Sequence, residues 1–249
     1  SGSAANLDCG YTAPHTLDVV ISMYDEPISS IEAISSALAG IPAFSALDAP
    51  PRLHIYTKHN GTDPEQLKEA TGAHAVTRLP NVGREGHTYL HHILSHWDAL
   101  AHQTLFLQAE PHYLSQAFAR LDAAYTPATG MISLGDSGYT CACGACGDLN
   151  WHDTAGTIAQ VYEAVNSNRT CAPGKRVLLS YRGQFLASAA RIRGVGRGVY
   201  EGLNWTLTAP ESWAWGDEWR FDERENSANA PQFGYTLERL WNVLMQCAE

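Results

Sequence analysis

Residues 79–90 read Leu-Pro-Asn-Val-Gly-Arg-Glu-Gly-His-Thr-Tyr-Leu, a turn that opens a helix whose first turns carry Arg84, Glu85, His87 and Tyr89. A helix start offers unpaired N–H groups and a partial positive charge. Arg84 adds a planar, permanently charged fork. Together they suit a phosphate or carboxylate ligand, with Asn81, Gly83, Glu85 and Tyr89 around it. The same residues also fit a plain glycine-turn helix start in which Arg84 and Glu85 form a local ion pair.

A second cluster is Glu110-Pro111-His112. Glu110 suits a general base or a metal ligand, and His112 stands close enough in sequence to assist. Asp25 and Glu26 follow an apolar run and serve either as caps of the next helix or as polar groups at a binding cleft. His87 and His91, and again His92 and His96, stand at i,i+4, a spacing that chelates metals on a helix face. Four histidines in ten residues also make such pairs by chance. Gln184 and Ser188 fall on an expected strand, where buried hydrogen bonding competes with donor binding. Glu238 and Arg239 read first as a structural ion pair. Trp213, Trp215 and Trp219 suit either a sugar platform or a hydrophobic flap.

These residues need a scaffold. Leu17–Tyr24 is a short apolar run ending in Asp25-Glu26-Pro27, a buried strand with a charged loop after it. Ile28–Leu38 has helical period. Arg52–Lys58 reads as a second strand, and Asp63-Pro64-Glu65 as a capped helix start. Ala73–Arg78 is a third strand, followed by a helix from the Asn81 turn to about Ala101. Gln103–Gln108 is a fourth. The second half is less regular: a helix over Ser115–Ala124, strands at Val177–Tyr181 and 183–188, and a closing helix over Gly234–Leu244. Alternating strands and helices predict a single α/β domain over 17–249 with a mostly parallel, Rossmann-like sheet. Residues 1–16 are a tail whose Ser-Gly-Ser start reads as a cloning remnant. Open sheets of this kind bind ligands at the C-terminal ends of their strands. Asp25, Arg84 and Glu110 are therefore expected to line one cleft.

The chain has 249 residues, 45% hydrophobic and 17% charged, and a formal charge of −10. That balance disfavours nonspecific nucleic-acid binding, although Arg182, Arg191, Arg193 and Arg197 are close in sequence. No apolar run reaches the roughly 20 residues of a membrane span. Six cysteines occur, with three sequons at Asn60, Asn168 and Asn204. The combination leans toward the secretory pathway and disulfides. Cys141, Cys143 and Cys146 with Cys171 remain a zinc alternative.

The segments DVVISMYDEP, IYTKHN, LPNVGREGHTYLHHI, TLFLQAEPH, RGQFLASAARIR and YTLERLWNVL, in that order, resemble a fungal family of uncharacterised domains. That family is distantly similar to GT-A glycosyltransferases, and the resemblance runs from about Asp18 to Cys247. It implies a GT-A-like fold, a nucleotide-sugar pocket at the end of the first strand and a divalent metal after the fourth. The metal-binding Asp-x-Asp of GT-A enzymes is absent; the position reads Glu110-Pro111-His112. Mg²⁺ or Mn²⁺ favours oxygen-rich sites, so either the metal differs, or Arg84 and the helix start neutralise the donor, or the chemistry is not sugar transfer. The leading expectation is a glycosyltransferase-like enzyme with a small-molecule donor and acceptor, catalysing through Glu110, His112 and Arg84. Two alternatives stay open: amide or cyclic dipeptide formation from an aminoacyl-tRNA, which would place the protein in the cytoplasm, and a secreted, noncatalytic carbohydrate-binding module using the tryptophan loop.

Overall fold

The computed structural model describes residues 5–136, 138–166, 169–172 and 174–247. Its centre is a six-stranded sheet. In chain order the elements are β1 (Leu17–Met23), α1 (Ile28–Ala39), the short α2 (Pro42–Ser45), β2 (Arg52–Thr57), α3 (Pro64–Thr71), β3 (Ala75–Arg78), α4 (Arg84–Ser95), β4 (Gln103–Gln108), α5 (Leu114–Ala124) and β5 (Met131–Ser133). The small strands β6 (Thr140–Ala142), β7 (Gly147–Asp148) and β8 (Trp151–His152) precede α6 (Thr157–Val165) and β9 (Arg176–Leu178). β10 (Phe185–Ser188), α7 (Ala189–Arg193), α8 (Arg197–Thr208) and α9 (Phe233–Leu244) complete the chain. Strand order in the main sheet is β3-β2-β1-β4-β10-β5. The first four strands are parallel, and β10 runs against both β4 and β5. The fold is therefore the expected α/β class with a mostly parallel, Rossmann-like sheet.

Alternation along the strands divides the core. Val19 and Ile21 of β1 and Leu105 and Leu107 of β4 face α1, α3 and α5, against Ile31, Ile34, Leu67 and Phe118. Val20 and Phe106 face the other layer, built on α4, α6, α8 and α9. Consecutive strand residues point to opposite faces, so a strand buried on both sides reads as one apolar run, and all seven residues of β1 are buried. On the α4 side, Phe106 stacks on Phe185 at 4.8 Å between ring centroids, and Phe185 on Trp241 at 4.7 Å.

Several element boundaries differ from the sequence expectation. α4 stops at Ser95 rather than near Ala101: the Ser95 hydroxyl donates to the His91 carbonyl at 2.7 Å, and Ala99 closes a turn onto His96. A serine that bonds the preceding turn weakens helix continuation. The strand expected over Val177–Tyr181 is Arg176–Leu178, and the next begins at Phe185. Between them Arg182 and Gly183 both take left-handed backbone, with φ of 72° and 58°. The tryptophan segment forms two single 3₁₀ turns, Trp213–Trp215 and Asp217–Trp219.

Four cysteines are bridged, Cys141 to Cys146 and Cys143 to Cys171, in favour of disulfides over zinc at these positions. Cys9 and Cys247 are free. Asn168 lies outside the described residues. Among the described residues, no helix is long and apolar enough to cross a membrane.

Candidate functional site

α4 starts at the C-terminal end of the parallel strands. The chain enters it through Gly83 and Arg84, both left-handed, with φ of 65° and 48°. Such backbone costs a residue with a side chain about 1 kcal/mol or more, so the surroundings must hold Arg84 in place. Lys58, buried just after β2, does so: its Nζ donates to the Val82 carbonyl at 2.5 Å and to the Arg84 carbonyl. Burial lowers this ammonium to about pKa 7, with Glu85 acting in the opposite direction. Gly83 and Gly86 admit neighbouring helices. A Cβ on Gly83 would stand 2.8 Å from Leu207 Cδ2, and one on Gly86 2.6 Å from Leu237 Cδ2.

A cleft of about 920 Å³ opens beside this helix start. Arg84 and Glu85 form one wall, with His112 from the loop after β4. Asp148 and His152, carried by the disulfide-stapled hairpins, face them, together with Tyr181 and Arg182 from the β9–β10 turn. Tyr235, Glu238 and Arg239 of α9 and Arg224 of the preceding loop complete it.

Three ion pairs fix most of the charges. Arg239 reaches Asp148 at 2.7 Å, Arg182 reaches Asp136 at 3.1 Å, and Arg84 stands 3.9 Å from Glu85. Arg239 is buried, lies 4.8 Å over Trp151 and 5.0 Å over Tyr181, and shares Asp148 with the Tyr181 hydroxyl at 3.0 Å. That network is structural. The exposed guanidinium groups of Arg84 and Arg224 both lie near the Tyr235 ring, at 5.7 and 5.2 Å from its centroid; Arg224 also pairs with Asp222 and donates to the Asn150 carbonyl at 2.9 Å. Both arginines line the cleft, and their planar donor forks suit an anionic group.

Glu238 is the cleft carboxylate whose surroundings raise its pKa. It is half-buried and accepts the Arg182 backbone N–H at 2.9 Å. Burial pushes its pKa up, the Glu85 charge adds to the rise, and the Arg182 N–H and the nearby arginines oppose it. A carboxyl raised in this way holds a proton more readily than an exposed one, which suits acid–base work. Glu85 packs against Gly183, where a Cβ would meet its Cγ at 3.3 Å.

The residues singled out from sequence divide into groups. Arg84, Glu85 and His112 line the cleft. Gln184 is buried and holds His112 by its backbone, accepting from the His112 N–H at 2.6 Å and donating to its carbonyl at 3.2 Å. Gly83 is buried in the turn, and Asn81 is exposed on it. Tyr89 is wholly buried, 5.2 Å from Phe106, and reaches no open space; its expected donor contact is corrected to a core role. Asp25, Glu26 and Glu110 lie at the same sheet edge as Arg84, but they do not line the cleft. Glu26 accepts the Tyr24 N–H at 2.6 Å, and exposed Glu110 accepts from Ser30 at 3.2 Å. The expected convergence of Asp25, Arg84 and Glu110 is thus split: one edge is shared, and one cleft is not.

The four arginines of the candidate basic patch are engaged separately. Arg191 donates to the Met245 carbonyl, Arg193 to Asp8 at 2.9 Å, Arg197 to Glu201 at 2.9 Å, and Arg182 to Asp136. They form no open cationic surface. In the tryptophan loop Trp213 meets Trp219 edge-on at 5.6 Å, both residues are partly exposed, and the cavity beside them holds about 20 Å³.

The chain matches no protein-family model and no curated protein. Among solved structures it is similar to one titled "Crystal structure of 4-diphosphocytidyl-2C-methyl-D-erythritol synthase", at 11% identity and a TM-score of 0.33, covering 76% of this chain and 80% of that one.

Proposed function

We propose that this protein is a transferase whose cleft seats an activated, phosphate-bearing donor and passes the activated group to a small acceptor, a glycosyl group being the first candidate. The observation that carries the reading is the pairing, within one cleft, of two exposed guanidinium groups, Arg84 and Arg224 near Tyr235, with the Glu238 carboxyl, whose pKa burial raises. The guanidinium groups take the donor's negative charge and stabilise the departing phosphate. Glu238 accepts the acceptor's proton as the new bond forms, and Glu85 orients the nucleophile. His112, fixed through Gln184, stands at the cleft wall to protonate or orient the leaving oxygen. Glu110, on the far side of the same edge, is the competing candidate for the base.

A second reading keeps the site and changes the donor to an aminoacyl ester. It draws on Glu85 and Glu238 together, because two carboxylates in one cleft favour an amine or other cationic acceptor. It draws nothing from the arginines as a nucleic-acid surface.

A ligand screen tests both. Nucleoside diphosphates at about 100 times their dissociation constant stabilise a binding protein by roughly 2.7 kcal/mol. The expected result is a thermal shift with at least one of them, with or without Mn²⁺, that Arg84→Lys weakens by losing the planar fork. No shift with any nucleotide, together with an amide product by mass spectrometry from aminoacyl-tRNA and an amine, would overturn the glycosyl reading in favour of the second.

A further inference from the structure

Away from the cleft, toward the opposite end of the parallel strands, a histidine cluster joins α4 to β2. His54 sits in the middle of β2 beside Val20. His92 and His96 stand one turn apart on and just past α4, with rings stacked at 4.3 Å. The His54 ring lies 5.2 Å from His92 and 5.5 Å from His96. One ligand nitrogen from each of the three can be drawn within 4.8 Å of the others. His54 and His92 are buried, and His96 is half-exposed, which leaves a path from solvent.

The second observation is what these nitrogens lack. Nε2 of His54 and Nε2 of His92 are both buried without a hydrogen-bond partner. Buried polar groups are nearly always satisfied, and an exception calls for an absent partner. The other nitrogens are already oriented. His92 Nδ1 meets the Tyr56 hydroxyl at 2.9 Å, and His96 Nδ1 lies 3.2 Å from the His92 carbonyl. Hydrogen bonds at Nδ1 that hold the ring and its tautomer are the usual support of a metal-binding imidazole. Beneath them Asp18, wholly buried, stands 3.5 Å from His54 Nε2 and 3.9 Å from His92 Nε2, with Arg52 on its oxygens at 2.7 and 2.8 Å.

We infer that His54, His92 and His96 form a transition-metal site, zinc being the first candidate, with the buried Asp18–Arg52 pair beside it. Three imidazoles suit Zn²⁺, Cu²⁺ or Ni²⁺ and not Mg²⁺. The ligands come from a strand and a helix, so the metal would clamp α4 to the sheet. Eight residues separate His92 from Arg84, about 12 Å along a helix, which keeps the ion out of the cleft and makes the site independent of the proposed transferase reading.

The test is metal binding by the whole chain, with Cys9 and Cys247 capped and the disulfides kept oxidised. Metal-free protein is titrated with Zn²⁺ and with Co²⁺. The expected result is one equivalent bound, a rise in melting temperature, and the visible Co²⁺ absorption of a nitrogen-ligated, low-coordinate ion. His96→Ala touches the half-exposed ligand and should fold, and it should weaken binding at least tenfold and remove the thermal shift. His54→Ala tests the buried ligand, and His96→Gln repeats the test should the alanine variants fold poorly. Binding unchanged in both His96 variants, or abolished by His74→Ala, whose exposed ring lies 5.2 Å from His54, and not by His96→Ala, would overturn the site. So would the failure of every ion to bind, which would leave water as the partner of the two nitrogens.

Discussion

Glu238 and Glu110 are both carboxylates at the C-terminal sheet edge, and their surroundings differ. Glu110 is exposed and meets only the Ser30 hydroxyl. Glu238 is half-buried, bonded to one backbone N–H and raised in pKa by burial. Once an assay exists, Glu238→Gln is expected to lower turnover about 100-fold, the usual scale for a general base, with Glu110→Gln near wild type; the reverse pattern would return the base role to Glu110. The same variant has a stability signature. A carboxyl whose folded pKa lies above its ordinary 4.5 holds its proton more tightly in the fold. Stability therefore falls as pH rises from 4.5 through the folded pKa, and the loss is complete above it. Glu238→Gln removes that loss, so it should melt no lower than wild type at pH 7, with any gain vanishing below pH 4.5. A variant less stable at pH 7 than at pH 4, relative to wild type, would contradict the assignment.

At the level of elements, the placement of α4 decides the cleft. Its start is held by Lys58 from the end of β2 and by Gly83 against Leu207 of α8. Gly83→Ala puts a side chain on left-handed backbone and a Cβ 2.8 Å from Leu207 Cδ2. The expected cost is about 1–3 kcal/mol in urea unfolding, with weakened nucleotide binding because Arg84 moves with the turn. A variant as stable as wild type would show that the turn relaxes freely. The α9 segment Leu-Glu-Arg-Leu-Trp-Asn has a parallel logic. Ser180 donates to the Glu238 carbonyl at 2.7 Å, and Asn242 donates to the Leu179 carbonyl at 2.9 Å. These bonds tie α9 to the chain leaving β9 and so aim Tyr235 and Glu238 at the cleft.

For the whole molecule, the far wall of the cleft hangs on disulfides. Asp148 lies just past Cys146, in a segment of short two-residue strands that buried Trp151 and the Asp148–Arg239 pair also tie to the core. The Cys143–Cys171 bridge spans 28 residues, and closing a loop of that length contributes roughly 3–4 kcal/mol in the chain-entropy account. Replacing both cysteines with serine should lower the melting temperature and the affinity of the cleft together, by differential scanning calorimetry and ligand titration. Unchanged affinity would show that Asp148 and His152 are positioned without the bridge. Disulfides of this kind fit an oxidising compartment.

Much of the scaffold was legible along the chain. The apolar runs of β1 and β4, the capped start of α3 and the Asn-Val-Gly turn are local signals, because burial on both faces, capping and turn geometry act over a few residues. They established the α/β class, the parallel direction of the first four strands and the position of Arg84 at a strand-end turn. The loops after β1 and β4 were likewise placed correctly at one edge. Which of their side chains share a cleft was not legible, since that depends on the face of the sheet each loop turns toward. Asp25 and Glu110 are two residues past their strands and still miss the cleft, while Glu238 reaches it from a helix more than a hundred residues away. The histidine cluster divides the same way. The i,i+4 pair His92 and His96 is written in one helix, but His54 and Asp18 arrive from neighbouring strands. Only the register that sets Val20 beside His54 brings them under α4. Periodicity determines which residues can pack. The crossing of distant segments decides which ones meet, because that choice is made by the sum of all the packing contacts.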